Sequence, residues 1–347
     1  MTPERLKELL SQFPSRRIAV FGDYFLDRYL DFDSELAEVS LETGKTANQV
    51  VDVRHSPGAA GTVVCNLHAL GCQNITTAGF SGDDGEGYEL RQDLTSMSCI
   101  MDHLLQVPER RTPVYCKPRD IRVPGLTGES ERYDTKNRQT LPRWVEEKLI
   151  TSLDAVLSQT DALIILDQVE ENNCGAVTDR IRARLTELAS NHPNLIFWVD
   201  SRNRISEYSG VIIKPNQHEA IAAAFPDRPD EVTDDLVIQA GRILSERSGR
   251  PVFVTRAEHG MLVFNGDGCE SIQAVQVDGQ IDPTGAGDSA TASAVLTLAS
   301  GGTLAEAALM ANLVASITIQ QLGTTGTATP EQIINRLDTW RAQHLDC

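Results

Sequence analysis

A short segment near the end of the sequence joins a phosphate-binding turn to a carboxylate. It reads QIDPTGAGDS over residues 280–289 and leads into a helix of small residues predicted over 290–300. Two glycines around an alanine let the backbone turn tightly and present several N–H groups together, at the positive end of the helix dipole. Asp288 in this first turn could accept the proton of a hydroxyl that attacks phosphorus, and the dipole favours its ionised form. The alternative is an ordinary helix-capping turn, and the segment alone leaves both open.

A second segment, KPNQHEA over residues 214–220, combines an amide with a carboxylate. Asn216 and Glu219 are three residues apart, so they share one face of a starting helix. Such a pair can hold phosphate oxygens and a hydrated Mg²⁺, which prefers carboxylate plus phosphate to a cage made of protein alone. An N-cap asparagine with a capping-box glutamate fits the same spacing equally well.

Two glycine-containing segments near the N-terminus suit a polyhydroxylated ligand. In GDYFLDR, over residues 22–28, Asp23 and Asp27 could accept hydrogen bonds from vicinal hydroxyls. The alternative is helix capping by Asp23 and a solvated Asp27. The small residues of PGAAGTVVCN, over 57–66, would let a ligand approach the backbone, or would pack a glycine-rich helix start.

Short apolar runs that alternate with helical patterns must position these segments. Strands are predicted over 17–23, 162–166, 195–199, 211–213 and 252–255, and helices over 144–157, 176–188 and 234–248. This alternation predicts an α/β fold with a doubly wound, mostly parallel sheet flanked by helices. Because ligands of such sheets lie beyond the carboxyl ends of the strands, the polar residues that follow strands are candidates. These are Asp23, Asp167, Asp200, Asn216 and Arg256.

Two segments break the alternation and are predicted to form a small β-sheet lid on a single domain over residues 1–347. Residues 31–54 are polar and acidic before a predicted strand over 47–53, and residues of about 109–135 are rich in Arg, Lys and Pro. Free edges of lid strands invite pairing, so a homodimer through the lid strands is expected.

Composition excludes several classes of function. The 347 residues carry 31 Lys and Arg against 49 Asp and Glu, a net charge of −18, which repels nucleic acid and anionic membranes. The seven cysteines form no C-x-x-C pair, so no zinc site is indicated. No membrane span or signal peptide is recognisable, and we expect a soluble cytoplasmic protein.

Six segments together resemble the PfkB (ribokinase-like) carbohydrate kinases in order and spacing. They are GDYFLDRY, PGAAGTVVCN, FSGDDGEG, KPNQHE, VTRAEHGM and DPTGAGD, and the resemblance runs from about residue 17 to 331. Within the family, GD-x-x-LDRY and LGTTGT over 322–327 are most similar to heptose-7-phosphate kinase, the kinase half of a bifunctional lipopolysaccharide-heptose enzyme. The resemblance implies a ribokinase-like fold and transfer of the ATP γ-phosphoryl group to a hydroxyl of a sugar or sugar phosphate, with Mg²⁺.

The resemblance also implies roles for individual residues. Asp288 would be the catalytic base, and the amides of Gly285, Ala286 and Gly287 would stabilise the transferring phosphoryl group. Asn216 and Glu219 would serve phosphate and Mg²⁺, the metal through water. Other expected nucleotide contacts are Thr255, Arg256, Gly260 and Asn312, and expected sugar contacts are Asp23, Asp27, Gly58, Thr62 and Arg132. A monovalent cation such as K⁺ would involve Asp282 and Thr284.

Departures from the heptose kinases lie on the acceptor side. Thr62 stands where those kinases have asparagine, Asp200-Ser201-Arg202-Asn203 replaces D-P-K-G, and the loop from Asp167 to Glu171 replaces D-Y-x-K-G. The acceptor therefore stays open between a heptose 7-phosphate and another substrate such as fructose, a nucleoside or an aminosugar. A non-catalytic sugar or nucleotide sensor is a further alternative, as is ADP in place of ATP.

Basic residues concentrate in the second lid segment of an otherwise acidic chain. They could bind the phosphate of a sugar phosphate, or form a solvated lid face. They are Arg110, Arg111, Lys117, Arg119, Arg122 and Arg132.

Overall fold

The computed structural model describes residues 1–227 and 232–344. Its strands are β1 (Arg17–Val39), β2 (Thr46–Ala59), β3 (Asn74–Gly82), β4 (Ile100–Val107), β5 (Val114–Asp120), β6 (Tyr133–Thr135), β7 (Ala162–Asp167), β8 (Ile196–Ser201), β9 (Ile212–Ile213), β10 (Val252–Thr255), β11 (Met261–Asn265) and β12 (Gly268–Ile272). Its α-helices are α1 (Pro3–Gln12), α2 (Ala60–Ala69), α3 (Gly85–Ser96), α4 (Arg143–Leu157), α5 (Asp179–Asn191), α6 (Gln217–Ala224), α7 (Asp234–Ser248), α8 (Ala286–Ala299), α9 (Leu304–Thr318) and α10 (Pro330–His344).

The centre of the fold is a β-sheet with the strand order β12-β11-β10-β9-β8-β7-β1-β3-β4. From β10 through β4 the neighbouring strands are parallel, and β11 and β12 complete one edge in antiparallel fashion. The carboxyl ends of β7, β8, β9 and β10 therefore meet at one edge of the sheet, where the sequence predicts the ligand.

Helices cover both faces of the sheet because alternate strand residues point to opposite sides. Along β7, Ile164 packs into the core shared with α2, α8 and α9, whereas Leu163 and Ile165 pack into the core shared with α4, α5 and α7. Such strands are apolar on both faces, which is why they appear in the sequence as continuous apolar runs.

The first strand is longer than the prediction over 17–23. It leaves the central sheet at Gly22, whose φ of +145° and close approach to the Leu166 carbonyl leave no room for a side chain. Its outer part pairs with β2 in antiparallel fashion and with β5 in parallel, and β5 pairs with β6. We call this outer sheet the lid sheet: β2, β5, β6 and β1 from residue 24 onward.

Other boundaries differ less. The helix predicted over 176–188 begins at Asp179, because the Thr178 hydroxyl caps it by accepting from the Ile181 N–H at 3.3 Å. Among the residues that the structure describes, no helix is both long and apolar enough to cross a membrane.

Candidate active site

The turn before α8 forms the centre of the site. Gly285 is the N-cap residue of α8, with a left-handed φ of +76°. The Ala286 N–H donates to the Pro283 carbonyl at 3.1 Å, so this predicted anion-binding amide already has an acceptor. The Gly287 N–H lies in the first turn, where a helix provides no acceptor of its own, and it is free to bind an anion.

Asp288 lies in the same first turn, partly exposed at the floor of the site. Burial of the carboxyl and the negative charge of Asp200 raise its pKa to about 8, although Lys214 lowers it. The helix dipole favours the ionised form of Asp288, as the sequence predicts, whereas burial and the charge of Asp200 oppose it.

A buried ion pair lies beside this turn, and the sequence analysis assigned it no role. Lys214 Nζ is 2.8 Å from Asp200 Oδ2, and both side chains are buried. A Cβ on Gly287 would lie 3.5 Å from the same ammonium. Burial lowers the pKa of Lys214, but the charge of Asp200, the hydrogen bond to it and the charges of Glu219 and Asp288 together outweigh burial and raise the pKa, so Lys214 stays a cation. Its place directly after a strand is the signal that could have indicated it.

The larger of two adjoining clefts has a volume of about 790 Å³ and lies between the strand ends and α8. Among its lining residues are the predicted ligand contacts Asn216, Glu219, Thr255, Gly260 and Asn312. At Gly260 a side chain would collide with the Ile272 carbonyl, so this close backbone approach requires glycine.

Asn216 and Glu219 form the capping box of α6. The Asn216 side chain accepts from the Glu219 N–H at 2.9 Å, and Glu219 Oε2 accepts from the Asn216 N–H at 2.8 Å. The second carboxylate oxygen of Glu219 is not used by the box. Burial raises the pKa of Glu219, as does the charge of Asp200. The capping and ligand interpretations are therefore compatible.

Arg256 does not line either cleft, contrary to the expectation from the sequence. Its guanidinium turns away and pairs with Asp234 at the start of α7, with Nη1 3.3 Å from Oδ1. The neighbouring Thr255 and Ala257 line the larger cleft in its place.

An apolar slot of about 240 Å³ continues from the larger cleft. Ala257, Pro283, Ala286, Asn312 and Ala315 line both spaces. The Asn312 amide donates to the Ile272 and Gln273 carbonyls, each at 3.0 Å, and so fixes α9 against the strand edge beside the slot.

The smaller cleft, of about 350 Å³, lies between the turn and the lid sheet. Asp27, Thr62 and Arg132 line it, as predicted for sugar contacts, and Lys117 lies beside them. Lys117 Nζ is 3.7 Å from Asp27 Oδ2. Burial raises the pKa of Asp27, and Lys117 opposes the rise. A Cβ on Gly58 would lie 3.1 Å from Asp27 Oδ1, so Gly58 keeps the space beside this carboxylate open.

Asp23, which the sequence predicts as a sugar contact, lines neither of these two clefts. Its buried carboxylate accepts three backbone hydrogen bonds, from the N–H groups of Gln168 at 2.7 Å, Val169 at 2.9 Å and Ala176 at 2.7 Å. Burial raises its pKa to about 6, with a contribution from Asp167. Asp23 therefore holds the loop after β7 in place.

The basic residues of the second lid segment do not form a cluster. Arg122 pairs with Asp33, and Arg110 is buried with Nη1 donating to the Gln139 carbonyl at 2.7 Å. Within the described chain only Lys117 and Arg132 of the set line the smaller cleft. Arg132 pairs with Asp134 at 2.7 Å and stacks on the Tyr115 ring at 4.3 Å.

Asp282 and Thr284 lie just before the turn. Asp282 Oδ1 accepts from the Thr284 N–H and Oδ2 from the Gly323 N–H, each at 3.0 Å. These bonds tie the turn to the segment after α9. A monovalent cation at this place stays a prediction.

The described residues contain no group of three or more His, Cys, Asp or Glu side chains that could hold a metal alone. A divalent ion here would take its remaining ligands from water and from a bound phosphate, as Mg²⁺ usually does. The unused oxygen of Glu219 in the larger cleft fits that chemistry.

The two clefts meet at a common wall, and this arrangement suits group transfer between two bound molecules. The residues that line both are Gln168, Arg202, Pro283, Gly285 and Asp288. A carboxylate base and an amide-rich turn at such a wall could direct a hydroxyl in one cleft toward a phosphoryl group in the other.

Comparison with known proteins places most of the chain in one family. The model of the pfkB family carbohydrate kinases matches residues 16–332. The Bifunctional protein HldE of Trichlorobacter lovleyi is 32% identical over 340 residues, covering 96% of this chain and 65% of that protein. The chain thus spans about two thirds of the length of that curated relative.

Solved structures share the fold and confirm the predicted ribokinase-like architecture. Phosphofructokinase-2 from Escherichia coli, in complex with potassium, has a TM-score of 0.71 at 19% identity, covering 94% of this chain and 99% of that one. Ribokinase from Thermotoga maritima has a TM-score of 0.65 at 19% identity, covering 93% and 99%.

Proposed function

The chain belongs to the pfkB family of carbohydrate kinases, and from this premise we propose that it binds ATP in the larger cleft and a phosphorylated sugar in the smaller one. The observation that carries the proposal is the common wall, which holds Asp288 and Gly285 between the two clefts. A sensor needs neither a shared wall nor a carboxylate at it.

The larger cleft suits a nucleoside triphosphate. The apolar slot beside Asn312 accommodates a flat base, and the Gly287 N–H together with the dipole of α8 faces the phosphates. Glu219 and Asn216 would hold a hydrated Mg²⁺ and phosphate oxygens at the cleft edge. When bound, the metal would neutralise part of the phosphate charge.

The proposed reaction transfers the γ-phosphoryl group of ATP to the acceptor hydroxyl. The acceptor oxygen attacks the γ-phosphorus, the bond from that phosphorus to the β,γ-bridging oxygen breaks, and ADP leaves with the electron pair. Asp288 takes the hydroxyl proton. Its raised pKa makes it a better base than an ordinary carboxylate once it is ionised.

The smaller cleft suits an acceptor that carries both hydroxyls and a phosphate. Asp27 offers carboxylate oxygens to vicinal hydroxyls, and Lys117 and Arg132 offer positive charge about the same space. The resemblance to heptose-7-phosphate kinases and the relatives named HldE favour a heptose 7-phosphate. Thr62, in place of asparagine, keeps a different phosphosugar as the second candidate.

The lid sheet supports a proposed homodimer. Val51 and Val53 of β2 are each about half exposed, as is Leu36 near the end of β1, and Val39 at its end is 69% exposed. In the described chain β2 pairs with β1 alone, so its other edge is available to a second copy.

The experiment that tests the function is ADP release from Mg·ATP over a panel of sugars and sugar phosphates, heptose 7-phosphate included. We expect turnover with a phosphosugar and weaker turnover with its unphosphorylated counterpart. Turnover on neutral sugars alone would contradict the phosphate role of Lys117 and Arg132. Nucleotide binding without turnover of any acceptor would favour the sensor alternative.

A further inference from the structure

Arg202 occupies a place that no other cation of the described chain shares. It is the one positively charged residue among those that line both clefts. Asp288 and Gly285 stand on the same wall, where the transferred group must pass.

The backbone of Arg202 is fixed while its guanidinium is not. The Arg202 N–H donates to the Asp167 carbonyl at 3.1 Å, and the preceding Ser201 hydroxyl donates to Asp167 Oδ2 at 2.8 Å. The side chain is 51% exposed, and its ion pair is a long one, with Nη1 3.8 Å from Glu170 Oε1.

Two other cations at the clefts have shorter ion pairs, and a third is buried. Lys214 Nζ lies 2.8 Å from Asp200, and Arg132 Nε lies 2.7 Å from Asp134. Lys117 is buried against Asp27. The Arg202 guanidinium is therefore exposed and only loosely paired with a protein carboxylate, so it is available to a ligand at the wall.

We propose that Arg202 is a further catalytic residue of this kinase, whose guanidinium binds the transferring phosphoryl group at the common wall of the two clefts. This inference rests on the proposed function. As the bond to the bridging oxygen breaks and the bond to the acceptor oxygen forms, negative charge spreads over the oxygens of the transferred group. A guanidinium, with several donors in one plane, can bind two of those oxygens together.

Fluoroaluminate with Mg·ADP tests the contact without an acceptor, because it imitates the transferring group. The affinity for Mg·ADP is measured with and without fluoroaluminate in the wild type, Arg202→Gln and Arg202→Lys. Glu170→Gln is the control for the ion pair. Arg138→Gln is the control for charge, since Arg138 is exposed and lines neither cleft.

We expect fluoroaluminate to tighten Mg·ADP binding to the wild type and both controls. In Arg202→Gln this increase in affinity should be smaller by on the order of a hundredfold, the effect expected when one donor to a developing charge is removed. Mg·ADP binding without fluoroaluminate should be unchanged. Arg202→Lys, which keeps the charge without the planar fork, should lose an intermediate part. Unchanged Mg·ADP binding also shows that the variants are folded.

Equal tightening in Arg202→Gln and the wild type would overturn the inference, as would no tightening in the wild type. An equal loss in Glu170→Gln would assign the effect to the ion pair instead. A loss of Mg·ADP affinity without fluoroaluminate would make Arg202 a ground-state nucleotide contact. A wild type that binds no Mg·ADP would contradict the proposed function rather than this inference.

Discussion

Lys214 Nζ lies 2.8 Å from Asp200 Oδ2, and Gly287 of the turn packs beside the same ammonium. The pair thus places a positive and a negative side chain next to Asp288. Burial has the largest effect on the pKa of Asp288 and raises it. Asp200 raises this pKa further, and Lys214 lowers it.

The pH dependence of activity should reflect the raised pKa of Asp288. Asp288 must be ionised to accept a proton, so kcat/KM should fall as the pH drops below about 8 and level off above it. Asp200→Asn removes a negative charge and should move this limb to lower pH. The measurement is the pH profile of kcat/KM for both proteins, and a profile that Asp200→Asn leaves in place would contradict the electrostatic account.

The Asp200–Lys214 pair should also matter for stability. Lys214→Met leaves a buried carboxylate without its partner, and we expect a loss of about 3–5 kcal/mol in the free energy of unfolding. The double variant Asp200→Leu/Lys214→Met removes both charges and should be more stable than the single one. Denaturant unfolding measures all three proteins. A double variant less stable than Lys214→Met would show that the pair is not the cause.

Asp23 should behave as a structural residue. Asp23→Ala leaves three backbone N–H groups without their acceptor, at about 1–3 kcal/mol for each unsatisfied group, so we expect a loss of at least about 3 kcal/mol. Asp338→Ala, on the exposed face of α10, is the matched control and should unfold like the wild type. Thermal or denaturant unfolding of Asp23→Ala that coincides with the wild type would contradict this structural role.

If the protein dimerises through β2, charged substitutions on β2 should halve its molar mass in solution. Val51→Lys/Val53→Lys places two charges on one face of β2 and should give a monomer, because charged side chains prevent pairing of strand edges. Trp144→Lys changes an exposed apolar residue on α4 and should stay dimeric. Light scattering after size exclusion separates the two outcomes. A monomeric wild type, or a dimeric lid variant, would rule out this interface.

Much of the fold follows from local pattern. The buried strands β7 and β10 are apolar on both faces, so their runs stand out in the sequence, and β10 was predicted with its observed bounds. The crossing of β1 into the lid sheet was not predicted, because it depends on Gly22 meeting a carbonyl on β7, far away in the chain.

The site was predictable where one segment holds the whole feature, as at the turn before Asp288. It was not predictable where a side chain chooses between distant partners. Asp23 lies within β1 and Arg256 directly follows β10, yet Asp23 holds the loop after β7 and Arg256 pairs with Asp234. The raised pKa of Asp288 likewise depends on burial and on Asp200, and only the fold supplies both.

The central claim is that Asp288 is the base at the wall between the two clefts, and Asp288→Asn tests it most directly. Mg·ATP affinity and kcat are measured for wild type and variant with the acceptor that the panel identifies. We predict nearly unchanged Mg·ATP affinity and a kcat lower by on the order of a hundredfold or more, since the amide cannot take the proton. Turnover close to that of the wild type would contradict the assignment of Asp288.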